Sequence, residues 1–142
     1  FYIIIFYSGS SSMITREADY AIRTVVYLAR RFGQQPVATT EISKNAEIPY
    51  RFLRKISHQL VESGLVGATR GKQGGIFLIA EPSELSLFDI LKIFDPRACQ
   101  INVCCSSDDA CNLSKACNVC KRLRVLQEKV HAEFASIKFS EL

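Results

Sequence analysis

Between Thr15 and Ala80 the spacing of apolar residues changes twice in character, and that change limits the chain to few folds. In "TREADYAIRTVVYLARRF", Ala18, Ile22, Val25 or Val26 and Ala29 recur at helical intervals, with Thr15 as N-cap and Gly33 at the end. "TTEISKNAEI" follows the linker "QQPV" as a short second helix, with Thr39 or Thr40 as cap and Ile42 and Ala46 four apart. "PYRFLRKISHQLVESG" is a third, with Pro49 in its first turn and Gly64 at its end. The period then shortens: "LVGATRGKQGGIFLIA" is two β-prone runs around the turn "GKQGG". Three helices followed by a hairpin is the order of a winged helix-turn-helix, so the expected fold is mainly α with a small β-hairpin wing.

Beyond the hairpin, "SELSLFDILKIFD" reads as a fourth helix stopped by Pro96. A cysteine-rich stretch follows, and a last helix starts near Val119. It carries Val119, Leu123, Leu126, Val130, Phe134 and Ile137 in steps of four, three, four, four and three. An apolar stripe without a partner in its own domain points to a second copy of the chain, hence a homodimer and a C-terminal dimerisation helix. The expected organisation is a DNA-binding domain over 13–96, a cysteine loop over 97–120, and a dimerisation helix and tail over 119–142. Residues 1–12, "FYIIIFYSGSSS", form an extension outside the native fold. Their apolar run of seven is too short to span a membrane, and no basic segment precedes it. The expected location is therefore the cytoplasm, where thiols stay reduced.

Charge separates the halves. From Met13 to Ala80 there are ten Lys/Arg against five Asp/Glu; from Glu81 onward, eight against nine. A basic first half suits a polyanion. On the third helix Leu53, Ile56 and Leu60 share one arc, while Arg51, Arg54, Lys55 and His58 lie opposite. One apolar face and one compact basic face suit a helix set in the DNA major groove, where Arg reads guanine and Lys or His meets phosphates or bases. Thr40 and Tyr50, at the starts of the second and third helices, join this candidate surface. Arg70, Lys72 and Gln73 sit at the wing tip, and an Arg there suits a narrow minor groove. "RGKQGG" is no nucleotide-binding loop: Gln73 follows Lys72 where Ser or Thr is needed, and Val66 replaces the first glycine. With two histidines, His58 and His131, and no nucleophile–base motif, no enzyme is indicated.

Five of six cysteines fall in "CCSSDDACNLSKACNVC". Only Cys117 and Cys120 have the C-x2-C spacing of structural zinc sites. Cys105-x5-Cys111-x5-Cys117 suits a loop wrapped round a larger object such as a cluster held by thiolates, with Lys115 and Lys121 offsetting charge. A zinc site or a disulfide switch is the alternative.

At these residues the chain resembles the Rrf2 family of winged helix-turn-helix regulators, in its IscR- and NsrR-like branches. "ITREADYAIR" is similar to the family's opening helix, "RGKQGGIFL" to its wing, and Cys105, Cys111 and Cys117 to its three cluster cysteines. The resemblance implies a homodimeric transcription factor that binds a near-palindromic operator on double-stranded DNA. It also implies an iron–sulfur cluster, [2Fe-2S] or [4Fe-4S], through which iron–sulfur status, redox state or nitric oxide changes DNA affinity. For the fourth ligand, one branch uses a His three residues after the third cysteine, where this chain has Cys120. The other uses an Asp of the partner's first helix, which Asp19 matches. Arg54 stands where the IscR branch carries Glu. Cys99 and Cys104 have no counterpart and read as spare thiols, buried small hydrophobes or resolving cysteines.

Overall fold

The computed structural model describes residues 14–97, 100–107, 111–113 and 116–142. The expected extension over 1–12 and the thiol of Cys99 lie outside the described residues. Helix α1 (Arg16–Ala29) is capped as expected: the Thr15 hydroxyl accepts from the Ala18 amide at 3.3 Å, and Glu17 and Asp19 sit in the first turn, where the helix dipole favours acids. Its buried face is Ala18, Ala21, Thr24, Val25 and Leu28, rotated from the expected stripe, with Ile22, Val26 and Ala29 only half-buried.

Helix α2 (Thr39–Asn45) is capped by Ala38 with no side-chain bond, so Thr39 and Thr40 lie inside the helix. Ala38 takes the extended backbone of a cap because β2 pairs with Val37 beside it, which overrides the hydroxyl preference. Helix α3 (Tyr50–Glu62) has Pro49 as its N-cap rather than in its first turn. Between the two helices Glu47 takes a positive φ of 54°, and this left-handed residue makes the turn of the helix-turn-helix.

Strands β1 (Val66–Thr69) and β2 (Gly75–Leu78) pair antiparallel, with Val66 opposite Leu78 and Thr69 opposite Gly75. Gly71 turns the tip at φ 112°, open only to glycine without strain. Val37 and Ile76 exchange both backbone hydrogen bonds at 2.9 Å, tying the wing to the segment before α2. A Cβ on Gly75 would run into the Val37 carbonyl, so glycine permits that approach.

Helix α4 (Leu87–Phe94) starts later than expected, at a capping box: the Ser86 hydroxyl receives the Asp89 amide, and the Asp89 carboxylate receives the Ser86 amide. A short 3-10 turn covers Val103–Cys105, and α5 runs Asn118–Ser136 with Cys117 as N-cap. Ile137 is extended and outside the helix.

The chain then returns to the winged-helix body. Phe139, in a 3-10 turn over Phe139–Glu141, is 1% exposed within the core that holds Val25, Leu28, Leu53, Leu60 and Ile90. Its amide donates to the Leu85 carbonyl and the Leu87 amide to the Ile137 carbonyl, both at 3.0 Å. The C-terminal tail is thus a strap over the start of α4. Helix α5 turns Cys120, Arg124, Gln127, His131 and Phe134 inward. His131 stacks on Phe88 at 4.8 Å, and Phe134 packs near Ala18 and Leu91. The expected apolar stripe is split: Phe134 packs inward and Leu123 and Val130 are half-buried, while Val119, 66% exposed, and Leu126, 49% exposed, face out.

Candidate nucleic-acid interface and cysteine cavity

On α3 the partition read from the sequence holds. Leu53, Ile56 and Leu60 are buried; Arg51, Arg54, Lys55 and His58 are exposed. Exposed Tyr50 opens the helix, and exposed Thr40 stands on α2. Arg70, Lys72 and Gln73 are exposed on the loop joining β1 to β2. Not every cation is equally available. Lys55 Nζ lies 2.9 Å from Glu17 Oε1 of α1, His58 Nδ1 3.2 Å from Glu62, and the Arg51 guanidinium 4.7 Å from the Phe52 ring. Among the described residues Arg54, Arg70 and Lys72 form no ion pair and present their full charge to solvent.

The described thiols of Cys104, Cys105, Cys111, Cys117 and Cys120 are free. Cys104, Cys111, Cys117 and Cys120 line one cavity of about 340 Å³, with Asn102, Val103, Val119 and Leu123. Cys105 is not on that wall. Among the described residues no three His, Cys, Asp or Glu come together as a site for a single ion. A larger hollow of about 580 Å³, beside Ser63, Leu65, Glu81, Glu84, Asp89 and Lys92, shares no residue with it.

Helix α5 builds the wall. Cys117 Sγ accepts from the Cys120 amide at 3.5 Å, placing both sulfurs at the helix N-terminus, which favours negative charge. Cys120 is buried, and its Sγ donates to the Cys104 carbonyl at 3.3 Å. Burial pushes the Cys120 thiol up, the adjoining Cys104 thiol pushes the same way, and Arg124 pulls it back. One turn on, Arg124 Nη2 donates to the carbonyls of Cys104 and Ser107, each at 3.2 Å. Gln127 donates to the Cys105 carbonyl at 3.5 Å and accepts from the Ile101 amide at 3.1 Å. Arg124 and Gln127 thus clamp the loop by its backbone. They went unnoticed in the sequence, although they lie four and seven residues after Cys120 and so on its face. Asp19 lies apart on α1, its two oxygens held by Arg23 at 2.9 and 3.2 Å.

A helix-turn-helix with a basic third helix and a glycine-bent wing, followed by a cysteine-lined loop on a long helix, defines a winged helix-turn-helix protein. Residues 14–142 match the family model described as "Rrf2: Iron-dependent Transcriptional regulator", and the chain belongs to the Rrf2 family of transcriptional regulators. It is 35% identical over 80 residues to the protein aau3 of Rhizobium meliloti, covering 56% of this chain and 51% of that protein. It is 30% identical over 79 residues to the HTH-type transcriptional regulator NsrR of Shouchella clausii, covering 56% and 53%. The chain thus spans about half the length of the curated relatives it matches. Among solved structures, it resembles CymR, the global cysteine regulator of B. subtilis, with a TM-score of 0.72 at 21% identity, covering 89% of this chain and 92% of that one. For IscR of T. potens the TM-score is 0.70 at 21% identity, covering 89% and 82%. These structural likenesses establish the winged-helix fold. No helix among the described residues is long and apolar enough to cross a membrane.

Proposed function

We propose that the protein is a homodimeric transcriptional regulator whose operator affinity is set by an iron–sulfur cluster held in the cysteine loop. The observation that carries this reading is the cavity of about 340 Å³ lined by four cysteines, at the start of the helix that docks onto the winged-helix body. Soft thiolates spread round a space this size fit an iron–sulfur group better than a lone zinc ion, whose ligands sit about 2.3 Å from one point. When bound, such a cluster supplies a centre sensitive to oxidants, nitric oxide and iron supply. The chain's own residues do the rest. Cysteines hold the group, Arg124 fixes the loop backbone and offsets charge, and the inward stripe of α5 joins the loop to the winged helix. The outward stripe of Val119 and Leu126 suits a second copy of α5, which would set two α3 helices on a near-palindromic site. On DNA, Arg51, Arg54, Lys55 and His58, with Thr40 and Tyr50, serve the major groove; Arg70, Lys72 and Gln73 serve the minor groove. In this division of labour, 13–96 bind DNA, 97–120 sense and 119–142 dimerise.

The test is iron, zinc and acid-labile sulfide per chain on anaerobically purified protein, alongside DNA affinity before and after stripping the metal. Equal iron and sulfide with a change in affinity supports the reading. Zinc, or a colourless protein after reconstitution, defeats it. Arg70→Ala should weaken binding by about 1–3 kcal/mol, and affinity should fall steeply with salt. A second reading, a disulfide switch on the same DNA-binding body, is favoured by Cys120 lying against Cys104. Intact-mass measurement after oxidation, showing loss of two hydrogens without bound metal, would select it.

A further inference from the structure

We propose that Phe52, backed by Tyr20, is a positioning residue that aims Arg51 at a base edge, and that Arg51 is thereby the residue of α3 that sets sequence preference. This rests on the reading of α3 as a major-groove helix, and names which of its cations reads sequence and what holds it.

The first ground is how the cations of α3 are held. Lys55 Nζ lies 2.9 Å from the Glu17 carboxylate, and His58 Nδ1 lies 3.2 Å from that of Glu62. Arg54 has neither an ion pair nor a ring contact among the described residues. Arg51 differs from all three. Its guanidinium lies over the Phe52 ring, 4.7 Å from the centroid, and pairs with no carboxylate among the described residues. That is inside the about 6 Å reach of a cation–π contact. A ring takes up the face of a guanidinium and none of its N–H donors, so Arg51 is oriented without being neutralised. Paired bonds to guanine N7 and O6 need that planar edge free.

The second ground is the support behind the ring. Phe52 is 37% exposed, a large apolar side chain on the open side of an amphipathic helix. It is not left loose. Its centroid is 5.9 Å from that of Tyr20 on α1, with the planes 53° apart, a tilted packing that suits two aromatic rings. Tyr20 is half-buried against the core. The Arg23 guanidinium, tethered to Asp19 at 2.9 Å, lies 5.9 Å from the Tyr20 centroid. A run of contacts therefore leads from the core through Tyr20 and Phe52 to Arg51. Adjacent residues on a helix do not face each other, so an Arg51 without the ring would range over many rotamers. With it, part of the ordering cost is met before DNA arrives.

The third ground is place. Arg51 is the second residue of α3, which begins at Tyr50. Recognition helices bring their N-terminal residues to base edges. Lys55 and His58 follow one and two turns later, where phosphate contacts suit them.

The experiment uses the full chain, purified anaerobically, and a duplex that the wild type selects from a pool of random-sequence duplexes. Fluorescence anisotropy gives affinities for that duplex and its single-base variants, with far-ultraviolet circular dichroism and Tm to check folding. Phe52→Leu should weaken binding about two- to tenfold, the cost of ordering one long side chain. Phe52→Tyr, which keeps the ring, should hold parental affinity. Arg51→Ala should lose discrimination at one base pair of the site. With Arg51→Ala in place, Phe52→Leu should add nothing. Tyr20→Leu should weaken binding in the same direction, again only where Arg51 is present. A loss from Phe52→Leu or Tyr20→Leu that is equally large without Arg51 would show a merely structural role and overturn the proposal. Parental affinity in Phe52→Leu, or unchanged base preference in Arg51→Ala, overturns it too. A wild type that selects no sequence from the pool removes the DNA-reading role of α3 and this inference together. That outcome is distinct from a selected duplex on which Arg51 and Phe52 act independently.

Discussion

Replacing Phe139 by Ala should cost far more than its place near the chain's end suggests. The ring is 1% exposed and sits among Val25, Leu28, Leu53, Leu60 and Ile90, which come from α1, α3 and α4. Truncation withdraws about 120 Å² of apolar surface from that core, and at about 25 cal/mol per Å² the transfer part is about 3 kcal/mol. The cavity left behind brings the expected loss to about 3–5 kcal/mol. For a domain whose total stability is about 5–15 kcal/mol, that is a large fraction. It corresponds to a fall in Tm of about 10–20 °C. The strap has its own hydrogen bonds, from Phe139 to Leu85, Leu87 to Ile137 and Ser140 to Pro82, so the ring's loss leaves a hole before the strap lets go. Urea unfolding followed by circular dichroism measures the loss, with Leu142→Ala, a partly exposed neighbour, as a control expected within about 0.5 kcal/mol of wild type. A loss below about 1 kcal/mol for Phe139→Ala would refute the view that the tail belongs to the core of the winged-helix body.

Ser86→Ala should cost about 0.5–2 kcal/mol by undoing the capping box of α4. Burial pushes the Asp89 carboxyl up, but hydrogen bonds from Ser86 and Lys92 outweigh it and hold its pKa below the ordinary value. Asp89 therefore stabilises the fold at neutral pH, and this is lost as pH falls through the folded-state pKa; Ser86→Ala should make the acid limb shallower in pH-dependent unfolding. Gly75→Ala should destabilise by about 1–3 kcal/mol in urea unfolding and weaken DNA binding, because the new methyl meets the Val37 carbonyl where the wing is tied down. Glu17→Gln should tighten DNA binding and steepen its salt dependence by about one ion, since it frees Lys55 to meet a phosphate; an unchanged slope in a salt titration would place Lys55 off the DNA.

The features legible in the sequence were those fixed by local chemistry. Thr15 caps α1 because a hydroxyl before an acidic first turn suffices, and Leu53, Ile56 and Leu60 share a face because helical pitch demands it. What escaped was decided by distant partners. Ala38 caps α2 because Val37 is bound to Ile76 of the wing, a pairing that no local preference at Thr39 or Thr40 encodes. Phe139 reads as the end of a tail, and only the return of the chain over Leu85 puts it in the core. On α5 the most apolar stripe was the visible one. The inward stripe carries Arg124, Gln127 and His131, whose polar tips hold loop carbonyls and an aromatic ring instead of filling a greasy seam. Of the adjacent pair Cys104 and Cys105, sequence spacing favours Cys105. Both lie on the 3-10 turn over Val103–Cys105, and of the two Cys104 borders the cavity.

The cysteine loop is bound to the winged-helix body at both of its ends, and both attachments meet the start of α1. The loop departs after Asp95, whose carboxylate accepts from the Thr15 amide at 3.1 Å, one residue before α1 begins. It re-enters through α5, where Phe134 packs near Ala18 in the first turn of α1, and the strap beyond anchors that helix in the core. Between Thr15 and Ala18 lies Glu17, the partner of Lys55 on α3. A rearrangement of the loop would therefore bear on a helix end in direct contact with the proposed DNA-reading helix. Contiguity alone is not coupling. Yet an affinity change of five- to about 150-fold, the ordinary range for allostery, requires only about 1–3 kcal/mol. The capping bond of Thr15 at that helix end, worth about 0.5–2 kcal/mol, reaches the lower part of that range.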